Sequence, residues 1–558
     1  MVRLVIAFFI LGLGLPAQAE DWPMLGRDHT HNAVSLEKGS PTDWQIEAPF
    51  DQGQPIKAAG NIRWKAKLGS PSMGGPVVAN GLVWVGTNNG NPRDSSFTKD
   101  ASVLICFTEK DGKFLWQYVS PRLGEHHQDC PWHSMGSTPY IEGDFLWIVT
   151  NRCETLCLDV GPLRLGKGAP KEVWKRDMRK DFGVHPHAPL MAGGFSPAPM
   201  ANADRLFVVT GNGVDEGGIH VPAPQAPSLI CFDKKTGRTL WTDASTGKDI
   251  LHDQRSSPLV FDLKGRTKVV VGQGDGWLRS FDATTGKLIW KCNLNPIGAT
   301  YTLGSRGRKS YAMATPVLYD EHVYIAPGRD PEIGAGDNEL FCVDPTGMGD
   351  VSAELDGGRG KGRPNPNSRV AWRYGGAGKE EDMRAYLFSR TLANCTIRDG
   401  LVYACDITGY AHCLNAKTGQ SYWWHDLKAE VWATPLWADD KVHMTTLEGD
   451  VWIFAHGKEK KLLKTVAMNG LIRVAPIYAN GTLYVMNDST LYAIQDMKRS
   501  FCFLESPLSP GKHHVLPLRL GPRTCWPNGS SDHICPSPSP RRGKLASMAR
   551  PGSRECLD

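Results

Sequence analysis

The chain lacks most of the signatures that would name a chemistry. It contains no Gly-x-Ser-x-Gly elbow, no glycine-rich phosphate loop and no Cys-x-x-Cys-His haem attachment. The hydrolase, nucleotide-binding and c-type cytochrome readings that rest on those motifs fall away. It has little net charge, +5 over 558 residues, and no Lys/Arg run interrupts its patterned part, so nucleic acid is not an expected partner. The apolar run from Leu4 to Leu15 is too short for a comfortable membrane span. With Arg3 before it and Ala17-Gln18-Ala19 after it, it reads as a secretory signal, residues 1–19, cleaved so that the mature chain starts near Glu20. No cysteine follows that site, so no lipid anchor is expected. The protein is expected outside the cytoplasm, in the periplasm or at the cell exterior.

What the chain has is a repeat. Leu278–Trp290 reads L-R-S-F-D-A-T-T-G-K-L-I-W, two short apolar runs around an Asp…Thr-Gly turn with Trp four residues beyond the Gly. Leu104–Trp116, Leu229–Trp241 and Ala411–Trp423 align on it. Two more copies carry insertions, leading to Trp174 and Trp372, and weaker copies lie at Val451–Phe454 and Leu491–Ile494. Asp, Thr and Gly suit a tight reversal, so each copy reads as a hairpin. A second hairpin precedes each, turning at pairs such as Asn80-Gly81 and Asn480-Gly481. Two hairpins make a four-stranded sheet that cannot cover both its faces, so the sheets are expected to stack radially. Counting gives eight, the last of which runs out after three strands. Residues 61–68, Asn-Ile-Arg-Trp-Lys-Ala-Lys-Leu, look like a Trp-ending fourth strand with no hairpin before it. They are expected to complete the last blade and close the ring. The fold class is therefore all-β, an eight-bladed propeller over residues 61–496. Residues 20–60 are expected to be an irregular segment lying on the ring, with His29 and His31 at its surface. Residues 497–558 lose the pattern and read as disordered or as a non-native stretch.

These repeats, with the lead-in Asp21-Trp22-Pro23-Met24…Gly26-Arg27-Asp28, resemble pyrroloquinoline-quinone-type propellers. That superfamily includes quinoprotein alcohol dehydrogenases and the outer-membrane assembly-factor propeller. The resemblance implies that the repeat tryptophans dock between neighbouring blades; Trp64, Trp116, Trp174, Trp241, Trp290, Trp372 and Trp423 stand at that position. For function it points two ways, to a scaffold or to a dehydrogenase using pyrroloquinoline quinone and calcium on an alcohol or sugar. The family's vicinal cysteine pair is missing, and no local motif matches its calcium ligands or its Asp base. A binding scaffold, expected to be a monomer with a protein, peptide or carbohydrate partner, is the preferred reading.

The fourteen cysteines would suit a disulfide framework in an exported protein. Yet Cys106, Cys157, Cys231, Cys342 and Cys413 share one column of the repeat, where other copies have Ser280, Ile453 and Ala493. They read as small buried residues on separate blades.

Hairpin turns fall on one face of such a ring. The longer links between hairpins, such as Asn88–Asp100 and Pro121–Met135, fall on the other, where a site is expected. The innermost strands start there, and counting three residues before the Pro column gives Arg255, Trp432 and Arg473, with Tyr311 and Arg390 nearby in register. Two arginines and aromatics around a hole suit an anionic, planar or peptide-like ligand. The alternative is that they plug the channel and pair with Asp275, Asp406, Glu448 or Asp488. For carbohydrate the aromatic candidates are Trp132, Phe195 and Trp432. His126, His127, Cys130 and His133, followed by His185-Pro186-His187, are of metal-ligand type. They match no defined spacing, and a structural loop is the competing reading.

Overall fold

Several outer hairpins turn where an acidic or amide side chain caps them. In the fourth repeat Asp282 Oδ1 accepts from Thr284 N at 3.0 Å, Thr285 N at 2.8 Å and Thr285 Oγ1 at 2.9 Å. Gly286 follows with φ +69, a conformation that costs glycine little. Asp233 and Asn415 cap their turns in the same way. The computed structural model describes residues 19–47, 60–124, 133–187, 197–304, 306–357, 361–378 and 384–496. The segment 497–558 lies outside the described residues.

The strands form eight antiparallel blades with cores of four strands, seven of them ordered from the axis outwards as the chain runs. They cover residues 77–121, 140–177, 200–243, 259–293, 317–377, 396–426, 436–467 and 477–494. The last blade has three strands of its own, and Ile62–Lys67 supplies the fourth. Trp64 lies opposite Ala493 and Lys65 opposite Tyr492. The first strand therefore zips onto the last hairpin, and the ring has no free edge at its seam.

The tryptophans hold neighbouring blades together. Trp372 Nε1 donates to Ala416 O at 2.8 Å and Trp241 Nε1 to Ala283 O at 3.0 Å, in each case a turn of the next blade. The indole lies directly over the turn glycine, so a Cβ on Gly419 would sit 2.6 Å from Trp372 Cε3. Trp64 over Gly112, Trp174 over Gly237 and Trp241 over Gly286 repeat the contact. Trp290 and Trp423 reach Pro345 O and Gly457 O. Trp116 differs because the next blade carries an insertion instead of the glycine turn; its ring lies edge-on to Trp84 at 6.1 Å.

The cysteine column follows from the same contact. Cys106, Cys157, Cys231, Cys342 and Cys413 lie directly opposite Trp116, Trp174, Trp241, Trp372 and Trp423 in the pairing. Ser280 faces Trp290 and Ala493 faces Trp64. Where the partner is Lys464, the column holds the larger Ile453. A cross-strand pair has room for one large ring, so its partner must be small. All five cysteines are buried and unpaired. A β-bulge sits beside the column: Ser280 pairs Trp290 but Phe281 pairs Leu288, leaving Ile289 extra. The extra residue turns the Trp toward the neighbouring blade.

Residues 20–37 run once around the inner wall of the ring, in blade order, and residues 38–47 then leave it for the outer edge, where Asp43 meets Lys464 and Glu47 meets Lys65. Trp22 bridges Val78 of blade one, and Pro23 O accepts from Ile141 N of blade two. His29 Nε2 meets Ala201 O of blade three, and Thr30 O accepts from Leu318 N of blade five. Asn32 pairs with Ile397 of blade six through both ends of its amide. Val34–Ser35 adds a parallel strand to blade seven, and Glu37 meets Asn480 and Gly481 of blade eight. The coil contacts the turn ends of the inner strands, so it closes the tight-turn end of the channel. His31 is therefore fully buried, with Nδ1 3.2 Å from Pro316 O, while His29 is exposed.

Candidate functional site

With one end closed by the coil, the channel is a funnel open toward the long loops. A cavity of about 100 Å³ remains inside, floored by Trp22, Met24, His31 and Ala33 and ringed at the other end by Arg255, Met313, Leu392, Trp432 and Arg473. Three of the five residues expected at the mouth thus line it.

Arg255 is committed. It is buried, with Nε 2.5 Å from Asp253 Oδ2 and Nη2 3.5 Å from Asp330 Oδ2. Burial pushes the Asp253 carboxyl up, but Arg255 and then His252 outweigh it and hold it below the usual carboxylate range. The partners of Arg255 differ from those expected, since Asp275 pairs with Arg279 and Asp406 with His412. Tyr311 lies beneath, fully buried, accepting from Asp330 N at 3.0 Å and stacked on His252 at 5.6 Å. Asp253, Asp330 and His252 were not singled out in the sequence. Asp253 had a signal, because position i−2 in an extended segment shares a face with position i.

Arg473 is the less committed arginine. Its guanidinium carbon stands 5.9 Å from the centre of the Trp432 ring. Its Nη1 is buried and has no hydrogen-bond partner among the described residues. Burial lowers its pKa, opposed by the charge of Asp488. Trp432 Nε1 donates to Glu430 Oε2 at 3.0 Å. Arg390 turns away from the mouth. It donates to Gly334 O and Ala335 O and borders a separate pocket of about 370 Å³ with Arg308, Asp337 and Tyr386. Burial and the nearby Arg329 bring its pKa down to about 10.

Of the metal-type residues, His126, His127 and Cys130 lie outside the described residues, as do Trp132 and Phe195. His133 is driven to a pKa of about 4 by burial and by Arg122. His187 meets His252 ring to ring at 4.3 Å. Among the described residues no three His, Cys, Asp or Glu side chains converge as a metal site would require.

Calcium takes about six to eight oxygen ligands, yet Asp253 and Asp330 both turn onto Arg255. The cavity of about 100 Å³ is well under the roughly 300 Å³ at which small-molecule sites begin. The described residues that line this cavity do not fit a pyrroloquinoline quinone–calcium pair.

The family model for outer membrane protein assembly factor BamB matches residues 165–330 and 365–496, more than half of the chain. No curated protein matches in sequence. Among solved structures, the quinohemoprotein alcohol dehydrogenase ADHIIG from Pseudomonas putida HK5 is 13% identical, with a TM-score of 0.54, over 85% of this chain and 80% of its own. Sqt1 from Saccharomyces cerevisiae is 11% identical, TM-score 0.51, over 78% and 98%. BamB from Moraxella catarrhalis is 15% identical, TM-score 0.48, over 77% and 97%. Likeness at such identities speaks for the fold. No helix among the described residues is long and apolar enough to cross a membrane.

Proposed function

Because the chain belongs to the family of the outer membrane protein assembly factor BamB, we propose that it is a binding scaffold of the cell envelope. It works in the periplasm or at the cell exterior and offers the long-loop mouth of its channel to an anionic or peptide-like group. The observation that carries this reading is Arg473, held against Trp432 at the lip with a buried Nη1 that no described group accepts from. A guanidinium with an unused donor beside an aromatic face suits a carboxylate or a backbone carbonyl. Arg255 supports the lip from beneath, its charge spent on Asp253 and Asp330.

The test is a thermal-shift screen of dicarboxylates and short acidic peptides on the parent and on Arg473→Ala. A ligand that raises the melting temperature of the parent and not of the variant supports the reading. A screen in which every ligand acts alike on both proteins refutes it. Pyrroloquinoline quinone with calcium belongs in the same screen. A shift with that pair, together with dye-linked oxidation of alcohols or sugars, would replace the scaffold with a dehydrogenase.

A further inference from the structure

The N-terminal coil begins and ends at one place. Glu20 stands at its start and Glu37 after one circuit, and the backbone N–H of Glu20 donates to Glu37 Oε1 at 3.2 Å. Both lie at the seam where blade eight meets blade one. Asp21 accepts there from Asn480 Nδ2 and Asn80 N. Glu37, only 5% exposed, also accepts from Asn480 N at 2.8 Å and Gly481 N at 2.7 Å. A buried carboxylate is thus held by neutral donors; among the described residues no Lys or Arg pairs with it. Around it the charge is mostly of its own sign. Glu20 and Glu109 face it, and Asp21 faces Glu109. Arg27 is engaged with Glu20 and Asp28, and Arg63 faces Glu109. Burial raises the carboxyl pKa of both Glu37 and Glu109.

We propose that cleavage between Ala19 and Glu20 supplies the missing cation, and that the new α-ammonium of Glu20 locks the coil and the ring seam by pairing with Glu37. Water adds across the amide and the C–N bond breaks. The oxygen goes to the Ala19 carbonyl carbon, which leaves as a carboxylate. Both protons go to the Glu20 nitrogen, which becomes –NH₃⁺. A peptidase of the export machinery performs this step. The hydrogen bond that an amide makes in the precursor becomes a charge-assisted one. The carboxylate is buried in either form, so only the ammonium, on a partly exposed residue, is newly desolvated, and the usual penalty for a buried pair is small. Only exported, processed chains then have a fully fastened ring.

The proposal rests on the export reading of residues 1–19, and engineered starts separate the two. One chain from Glu20 to Asp558 is made behind a cleavable fusion that leaves Glu20 first. A second carries Gly-Ser ahead of Glu20 and so keeps an amide. The Glu20-first form is expected to melt about 2 °C or more above the extended form at pH 6.5. An α-amine titrates near about 8 in the unfolded chain, and its partner raises that value in the fold. The gap is therefore full between the titration of the Glu37 carboxyl and about pH 8, and lost as pH rises through the folded value of the amine, closing by about pH 10. Glu37→Gln should erase the gap, and Glu37→Asp should narrow it if the glutamine variant does not fold. Equal melting temperatures, or a gap that survives these substitutions, overturn the lock. An exported protein whose intact mass retains residues ahead of Glu20 overturns the processing step, even if the engineered form melts higher.

Discussion

If the blades are fastened by indole over glycine, a single methyl should unfasten one joint. Gly419 and Gly400 both lie in blade six and both have positive φ, +71 and +75. A Cβ on Gly400 meets nothing within 4 Å, whereas one on Gly419 falls 2.6 Å from Trp372 Cε3 and 2.7 Å from Cδ2. Alanine at either site takes on the left-handed backbone cost of about 1–2 kcal/mol. Only Gly419→Ala adds overpacking, about 1–3 kcal/mol, because Trp372 is held by its bond to Ala416 O and is 8% exposed. The expected losses are about 1–2 kcal/mol for Gly400→Ala and about 2–5 kcal/mol for Gly419→Ala. Trp372→Ala alone should cost about 3–5 kcal/mol. In that background Gly419→Ala should fall back to the cost of Gly400→Ala, since the ring it struck is gone. Urea unfolding followed by far-UV circular dichroism measures all four proteins without relying on indole fluorescence. Equal costs for the two glycine substitutions, or no relief in the double variant, would refute docking as the source of the effect.

Two further outcomes concern charge. Arg255→Ala strands Asp253 and should cost about 3–5 kcal/mol at pH 7. The depressed Asp253 pKa contributes stability above the unfolded value of about 3.9 that is lost below it. In the variant that carboxyl rises, so the deficit should narrow between pH 7 and pH 4; a constant deficit by thermal melting would contradict the ion-pair account. His31, His133, His187 and His443 are each pushed down from 6.5 to about 4, first by burial. They are neutral in the fold, while the unfolded chain binds their protons below about 6.5. Stability should therefore be full above that pH and fall toward pH 4, by up to about 1.4 kcal/mol per pH unit per ring. His443→Asn should flatten the slope, and a parent whose melting temperature is level from pH 7 to pH 4 would rule this out.

The ring was legible in the chain because its parts repeat. Most blades solve the same packing problem, so Asp, Gly and Trp recur along the chain, and even the cysteine column can be read as a demand for small side chains. The closing strand was legible for the same reason, since Trp64 carries the repeat without its hairpin. Residues 20–47 were not, because the coil meets seven of the eight blades through a different group at each: a backbone carbonyl at Pro23, an amide at Asn32, a carboxylate at Glu37. A segment of single contacts has no period. The mouth was half legible. Register placed Arg255, Trp432 and Arg473 on the rim, but it could not show that Asp330, 75 positions along the chain from Arg255, would come to share the ion pair, or that Arg390 would bend outward.

The coil also sets an order of events. Its residues are the first of the folded part to emerge from synthesis, yet its partners reach from Val78 to Gly481. It can find its full set of contacts only after the last blade has formed, so the earliest-made piece is the last to be seated. Contacts of such long sequence separation slow folding. Until they form, the inner strand ends of seven blades stand open to water and to other chains. For this protein the vulnerable interval is the wait between finishing the chain and winding its beginning back through the middle.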